Sequence, residues 1–244
     1  MSDRAARSRS FESAAADYER HRPEYPEEAL RWAAERLALQ EHARVLDVGA
    51  GTGKLTRGLV ALGFETVAVE PGAAMLAQLR SAVPEAESLA GPAEAIPLPQ
   101  ASVDAAFSAQ AFHWFDRERA LPELHRIIGP GGGLVLIWNW WDERDPLQAD
   151  LGELIGYAGH SPYADDKLPG APWFRELGRT VVESADDSSP DALVAMLATT
   201  SRYLTADPAE GAQWLRDVHA GASRYGERFP LPKLTYAFAF ERLS

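Results

Sequence analysis

The chain is 244 residues long, enough for one domain, or one domain with a small elaboration, around a sizeable core. Apolar residues make up 46% and charged residues 25%, the balance of a globular protein, and the absence of cysteine excludes disulfides, thiolate nucleophiles and cysteine-ligated metals. With 24 basic against 36 acidic residues the formal charge is -12, which works against long-range attraction to nucleic acid or an anionic membrane.

The N-terminus, Met1 to Arg9, is polar and lacks the apolar stretch of a secretory signal, so it reads as a frayed tail. No run of eighteen apolar residues occurs, and a cytoplasmic protein without a membrane span is expected. A helix is predicted over 24–41, with Pro26 in its first turn, Glu27 and Glu28 at the positive end of the dipole, and Ala29, Leu30, Ala33 and Leu37 on one face. Residues 43–49 read as a short buried strand, followed by the turn Gly49-Ala50-Gly51-Thr52-Gly53. A helix carrying Leu55, Leu59 and Leu62 follows and closes at Gly63.

Strand Thr66–Glu70, a helix over 73–82 stopped near Pro84, and strands Glu87–Ala90 and Val103–Ala109 come next. A helix over 117–128 ends before Gly129-Pro130-Gly131-Gly132-Gly133, and Leu134–Trp138 is a strongly apolar fifth strand. Apolar strands alternating with helices imply a mostly parallel sheet covered on both faces. The rhythm breaks after Trp141: residues 142–178 read as helical pieces interrupted by prolines, too broken for a second domain and shaped like a cap-like insertion. A strand at Arg179–Ser184, a polar turn over 186–190, helices near 191–200 and 207–221, and a final strand over 234–242 complete the prediction.

The three glycines fall where the first strand meets the following helix. Glycine permits left-handed backbone angles and close approach of a ligand, and Glu70 ends the next strand, where a carboxylate can accept from ribose hydroxyls. The pattern is not a P-loop, and the third glycine of the dinucleotide fingerprint would fall at Lys54. A merely structural turn is the plain alternative.

Val45–Gly53, Val67–Pro71 with Met75-Leu76, Ala93–Leu98 with Ser102-Val103-Asp104, and Leu124–Gly132 occur in order over roughly residues 43–138. Together they resemble the motifs of the class I S-adenosylmethionine-dependent methyltransferases. The resemblance implies a Rossmann-like three-layer α/β/α sandwich, with a mostly parallel seven-stranded sheet and an antiparallel final strand. It implies a single methyltransferase domain over 1–244, with the cap-like insertion at about 142–178 and an N-terminal lid at about 10–26. It also implies S-adenosylmethionine as cofactor, with S-adenosylhomocysteine as product. Gly49, Gly51 and Gly53 would lie near the methionyl part, Glu70 at the ribose, and Ala93 and Glu94 beside the adenine, the latter at its exocyclic amine. Pro71 and Met75 would pack on the adenine, though Met75 on an apolar helix face reads equally as core. Asp47 would organise the turn or approach the cofactor ammonium, and Ala50, Gln110 and Tyr18 complete the cofactor-side set.

Gln110–Asp116, Trp138–Trp141 and Tyr18–Pro26 are similar to stretches of the trans-aconitate-methyltransferase-like branch, which acts on small molecules. His113 is the candidate general base, since an imidazole exchanges protons near neutrality; positioning of substrate or a structural role is the alternative. Tyr18, His21 and Tyr25 line the site or anchor the N-terminal segment. Trp114, Trp138, Trp140 and Trp141 shape an apolar acceptor pocket or belong to the core. Arg22, Arg144 and Arg175 are each able to hold a carboxylate, and spacing does not choose among them. His113, His125 and His160 lack metal-ligand spacing, and the G-x-S-x-G elbow of an α/β-hydrolase is missing. The expected partner is a small-molecule acceptor for O, N or carboxylate methylation, with no nucleic acid, no membrane and a homodimer allowed. A nicotinamide-dependent oxidoreductase and a catalytically silent cofactor-binding protein are the competing readings.

Overall fold

Val45, Leu46 and Val48 are apolar on both sides of the first strand, and such a segment is stable only when both faces of its sheet are covered. The computed structural model, which describes residues 11–156 and 168–244, buries all three in β1 (Arg44–Val48). Six further strands complete the sheet: β2 (Glu65–Glu70), β3 (Glu87–Ala90), β4 (Val103–Ala109), β5 (Ile128–Trp141), β6 (Phe174–Ser188) and β7 (Phe229–Arg242). The seven strands run in the order β3-β2-β1-β4-β5-β7-β6. β1 pairs in parallel with β2 and β4, β2 with β3, and β4 with β5, whereas the last strand is antiparallel.

Helices alternate with these strands as the periodicity predicts. They are α1 (Ala15–His21), α2 (Glu27–Arg36), α3 (Lys54–Ala61), α4 (Ala73–Ala82) and α5 (Arg117–Ile127), followed by α6 (Pro146–Ile155), α7 (Pro190–Leu197), α8 (Ser201–Leu204) and α9 (Pro208–Ser223). α3 buries Leu55 and Leu59 and stops at Leu62, with Gly63 at φ +87. α2 is shorter than the predicted 24–41, because Pro26 caps its start and Ala38 turns left-handed (φ 49) just past its end.

Three further boundaries differ from the sequence prediction. β5 begins at Ile128, so the glycines read as a loop lie within the strand. At Gly132 a Cβ would collide with the Asp104 carbonyl oxygen, and the register shifts between Val103 and Ala105; the glycine allows the two backbones to approach. β6 runs over the acidic residues predicted as a turn at 186–190, because Asp186 pairs with Lys233 and Asp187 with Arg228. In the predicted helical stretch 142–178, α6 ends at Ile155 and β6 starts at Phe174, whereas the Ser161-Pro162 break and His160 lie outside the described residues.

The chain forms two compact units. One comprises Glu24–Trp138, the described part of Asp165–Val182, and Thr235–Ser244. Its core joins Leu30, Val45, Leu59, Phe107, Val135 and Ile137. The other comprises the described parts of Met1–Pro23 and Asn139–Ala164 together with Glu183–Leu234. There Leu147, Leu151, Leu193, Leu197, Trp214 and Val218 from α6, α7 and α9 form a core of their own. Among the described residues no helix is long and apolar enough to cross a membrane.

Candidate functional site

β1 delivers the chain into a turn whose Gly49, Gly51 and Gly53 all have positive φ, at 69, 58 and 93. The Gly49 and Ala50 N–H groups donate to the Val69 carbonyl (2.9 and 3.1 Å), fastening the turn to β2. Gly49 and Gly51 serve different purposes. A Cβ on Gly49 would lie 2.7 Å from Ala111 Cβ and 3.3 Å from the Phe115 ring, whereas one on Gly51 would meet nothing within 4 Å. Gly49 is therefore a packing position, and Gly51 presents its backbone to open space.

Glu70 ties this turn to the end of β2. Its Oε2 accepts from Gly51 N–H at 2.9 Å and its Oε1 from Gly72 N–H at 2.8 Å. Each carboxylate oxygen has a second lone-pair direction, so the group retains acceptor capacity while holding the turn. Asp47, only 1% exposed, accepts from the Thr56 hydroxyl through Oδ2 (2.7 Å). Burial pushes its carboxyl up to about 7; the Thr56 hydrogen bond opposes this shift and the nearby Glu70 charge adds to it. Asp47 Oδ1 and the Thr52 hydroxyl, both buried, have no hydrogen-bond partner. Buried polar atoms are rarely left in that state except where a ligand or water completes them.

The remaining predicted positions fall in several places. Gln110 follows β4 in a left-handed conformation (φ 54), and its N–H donates to the Ile137 carbonyl (3.0 Å). Phe112–Trp114 form a 3-10 turn, with His113 exposed and its ring 4.5 Å from that of Trp114. Because Ala111 and Phe115 pack on Gly49, this turn is brought beside the first glycine. Ala93 is buried, whereas Glu94 Oε1 accepts from the Asp116 N–H at 2.6 Å. Ala50 packs with Ala68 and Leu79, Met75 is buried on α4, and Pro71 is exposed.

Trp138 is 4% exposed and meets Phe238 edge-on at 5.9 Å, the environment of a core residue. Tyr25 is half-buried against the core that contains Leu30. Tyr18, His21, Trp140 and Trp141 belong to the other unit. There Tyr18 stacks edge-on with Phe11 (5.9 Å) under the Arg22 guanidinium (5.2 Å), and Trp141 packs against the helical core. Arg144 is paired with Asp142 and Glu183, and Arg175 with Glu241. His125 Nε2 donates to the Leu243 carbonyl (2.8 Å), a packing role near the C-terminus.

Two groups of neighbours were not legible as site residues. Thr56 is a polar residue on the apolar face of α3, and that break in periodicity was its only signal. Lys54 is a buried cation in the first turn of α3, where the helix dipole disfavours it; Glu24 compensates at 2.9 Å and also meets Arg57 at 2.6 Å. Among the described residues no group of three or more His, Asp or Glu is placed to hold a metal ion.

A helix-flanked sheet whose first strand ends in a glycine turn, clasped by an acid from the second, defines an α/β protein built for a nucleoside-bearing ligand. The methyltransferase domain family matches residues 46–136. An uncharacterized methyltransferase of Mycobacterium tuberculosis is 46% identical over 201 residues, covering 82% of this chain and 80% of its own. One from Schizosaccharomyces pombe is 36% identical over 191 residues, covering 76% of each chain. The solved structure of a protein from Anaeromyxobacter dehalogenans, assigned as a type II methyltransferase, superposes with a TM-score of 0.69 at 29% identity, over 91% of this chain and 97% of that one. The chain belongs to the class I S-adenosylmethionine-dependent methyltransferases. That membership decides against the nicotinamide-dependent reading.

The residues present fit the methyl donor of this family. An orphaned oxygen on a buried acid, a second acid at the next strand end and open space above Gly51 suit a ligand that carries an ammonium, a sulfonium and a ribose.

Proposed function

We propose that the protein transfers a methyl group from S-adenosylmethionine to a small-molecule acceptor at oxygen, nitrogen or a carboxylate. The observation that carries this reading is the Glu70 clasp of Gly51 and Gly72, which leaves the open face of Gly51 beside a carboxylate with acceptor capacity. Bound S-adenosylmethionine supplies a methyl already activated by its sulfonium. The chain's residues then have to position the reactants and exclude water. In this reading Gly49, Ala50, Gly51 and Gly53 hold the methionyl side, with Asp47 facing the ammonium, and Glu70 holds the ribose. Ala93, Pro71 and Met75 shape the adenine side, and Gln110 completes the donor set.

His113 stands on the exposed turn beside the first glycine, where it is able to take a proton from an acceptor or hold the acceptor in place. Carboxylate acceptors need no base at neutral pH, so the pH profile of turnover separates these roles. Trp114, Tyr25 and Trp138 support the acceptor side, Trp138 from within the core. In this reading the protein acts in the cytoplasm as a methyltransferase.

Calorimetry with S-adenosylmethionine and S-adenosylhomocysteine tests the donor, and failure of both to bind overturns the reading. Incubation with methyl-labelled donor and a diverse acceptor library, read by mass spectrometry, identifies the acceptor. His113→Ala should lower turnover at least tenfold if His113 handles the proton. Unchanged turnover and acceptor affinity remove it from the site.

A further inference from the structure

The loop that follows β3 is fastened to α5 at two points. From the loop, Glu94 Oε1 accepts the Asp116 N–H at 2.6 Å, at the residue that caps the start of α5. From the helix, Glu123 Oε1 accepts the Ile96 N–H at 2.7 Å, and Arg126 donates to the carbonyls of Leu98 (2.9 Å) and Ile96 (3.2 Å). Arg126 also holds Glu123 through both of that residue's oxygens at 2.7 Å. The Glu123–Arg126 pair holds the far end of the loop, and the Glu94 bond ties its nearer part to the residue that starts α5.

That near end joins two parts of the site. Asp116 directly follows Phe115, whose ring lies with Ala111 against Gly49, and the stretch between them carries His113 and Trp114. The loop itself begins at Gly91, whose N–H donates to the Glu70 carbonyl at 3.3 Å. The Glu94 carboxylate accepting the Asp116 N–H at 2.6 Å is among the stronger neutral-donor hydrogen bonds, and its loss would remove a direct tether between the loop and the turn.

We infer that Glu94 is a positioning residue: it holds the His113–Trp114 turn in place from the loop on the adenine side, and it is not itself a ligand of the donor. The inference rests on reading the glycine turn as the S-adenosylmethionine site. It predicts that donor occupancy, by ordering the loop, also orders the turn through Glu94.

The test combines S-adenosylhomocysteine calorimetry with amide hydrogen exchange. In the wild-type protein the ligand should slow exchange at 49–53 and also at 111–116. In Glu94→Ala, affinity should stay within about threefold, protection at 49–53 should persist, and protection at 111–116 should be lost. Glu94→Gln keeps an acceptor oxygen and should restore most of that protection. Asp116→Pro removes the donor from the other side without touching Glu94. Its backbone allows the change, since Asp116 has φ -72 and Phe115 has ψ 145. It should reproduce the Glu94→Ala exchange pattern at 111–115, where its amides remain, and it carries the test if Glu94→Ala does not fold.

A loss of affinity of tenfold or more in Glu94→Ala, with Asp116→Pro binding normally, would make Glu94 a donor ligand and overturn the inference. Retention of protection at 111–115 in both variants would overturn it as well. A wild-type protein that binds no S-adenosylhomocysteine refutes the donor reading itself, which is a different result.

Discussion

Asp47 places a carboxyl group with one unpartnered oxygen one residue before the end of β1, next to the glycine turn. Its ionisation is held up to about 7, chiefly by burial, against about 3.9 in an unfolded chain. Between those values the native state keeps a proton that the unfolded state has lost, so stability is greatest below about pH 4 for this group and falls as pH rises toward 7. The slope from one such group is at most about 1.4 kcal/mol per pH unit. Asp47→Asn retains an acceptor for Thr56 but cannot titrate. Urea midpoints between pH 5 and 7 should therefore fall more steeply for the wild type than for the variant, and parallel curves would show that Asp47 is ionised in the free protein. The two glycines give a second contrast. Gly49→Ala combines a left-handed backbone with the Ala111 contact and should cost about 2–4 kcal/mol. Gly51→Ala should cost about 1–2 kcal/mol and yet weaken S-adenosylhomocysteine binding at least tenfold, because the methyl enters the open face. Equal stability losses with intact binding would contradict this division. Glu70 was legible because a strand end next to a glycine turn constrains an acid strongly. The tie from Glu94 to Asp116 was not, since a carboxylate meeting a backbone N–H across 22 positions leaves no periodic trace.

At the level of elements, β1 to β4 and α4 were legible because apolar runs bounded by turn residues repeat with the periods of strand and helix. The long strands were underestimated at their polar ends. Residues 129–133, four glycines and Pro130, and the acids at 186–187 have the composition of turns, and the neighbouring strand, through close backbone approach in one case and Lys233 and Arg228 in the other, holds them extended. Capping shows the same local logic in the helices of the second unit. Asp207 Oδ1 accepts from the N–H groups of Ala209 (2.9 Å) and Glu210 (3.3 Å), with Pro208 at the first position of α9. Asp207→Ala should destabilise by about 1 kcal/mol and lower Tm by about 2–4 °C, while Asp207→Asn should be nearly neutral. Calorimetric scans of the three proteins decide this, and an unchanged Tm in the alanine variant would mean that solvent satisfies those donors equally well.

For the whole molecule, the net charge of -12 acts on whichever ligand approaches it. S-adenosylmethionine carries one more positive charge than S-adenosylhomocysteine, and the two are otherwise alike apart from the methyl group. Raising salt from 0.1 to 1 M shortens the screening length from about 10 Å to about 3 Å, which removes the attraction of distant surface acids and leaves short-range contacts largely intact. The donor should therefore lose about two- to fivefold in affinity over this range, and the product less than twofold. The ratio of the two affinities, measured by calorimetry at several salt concentrations, isolates the field of the protein from the contacts they share. A constant ratio would mean that the acidic surface contributes nothing to donor capture. A ratio that falls with salt makes the excess of acids a means of favouring the charged donor over its spent product, at the same time as it repels polyanionic acceptors.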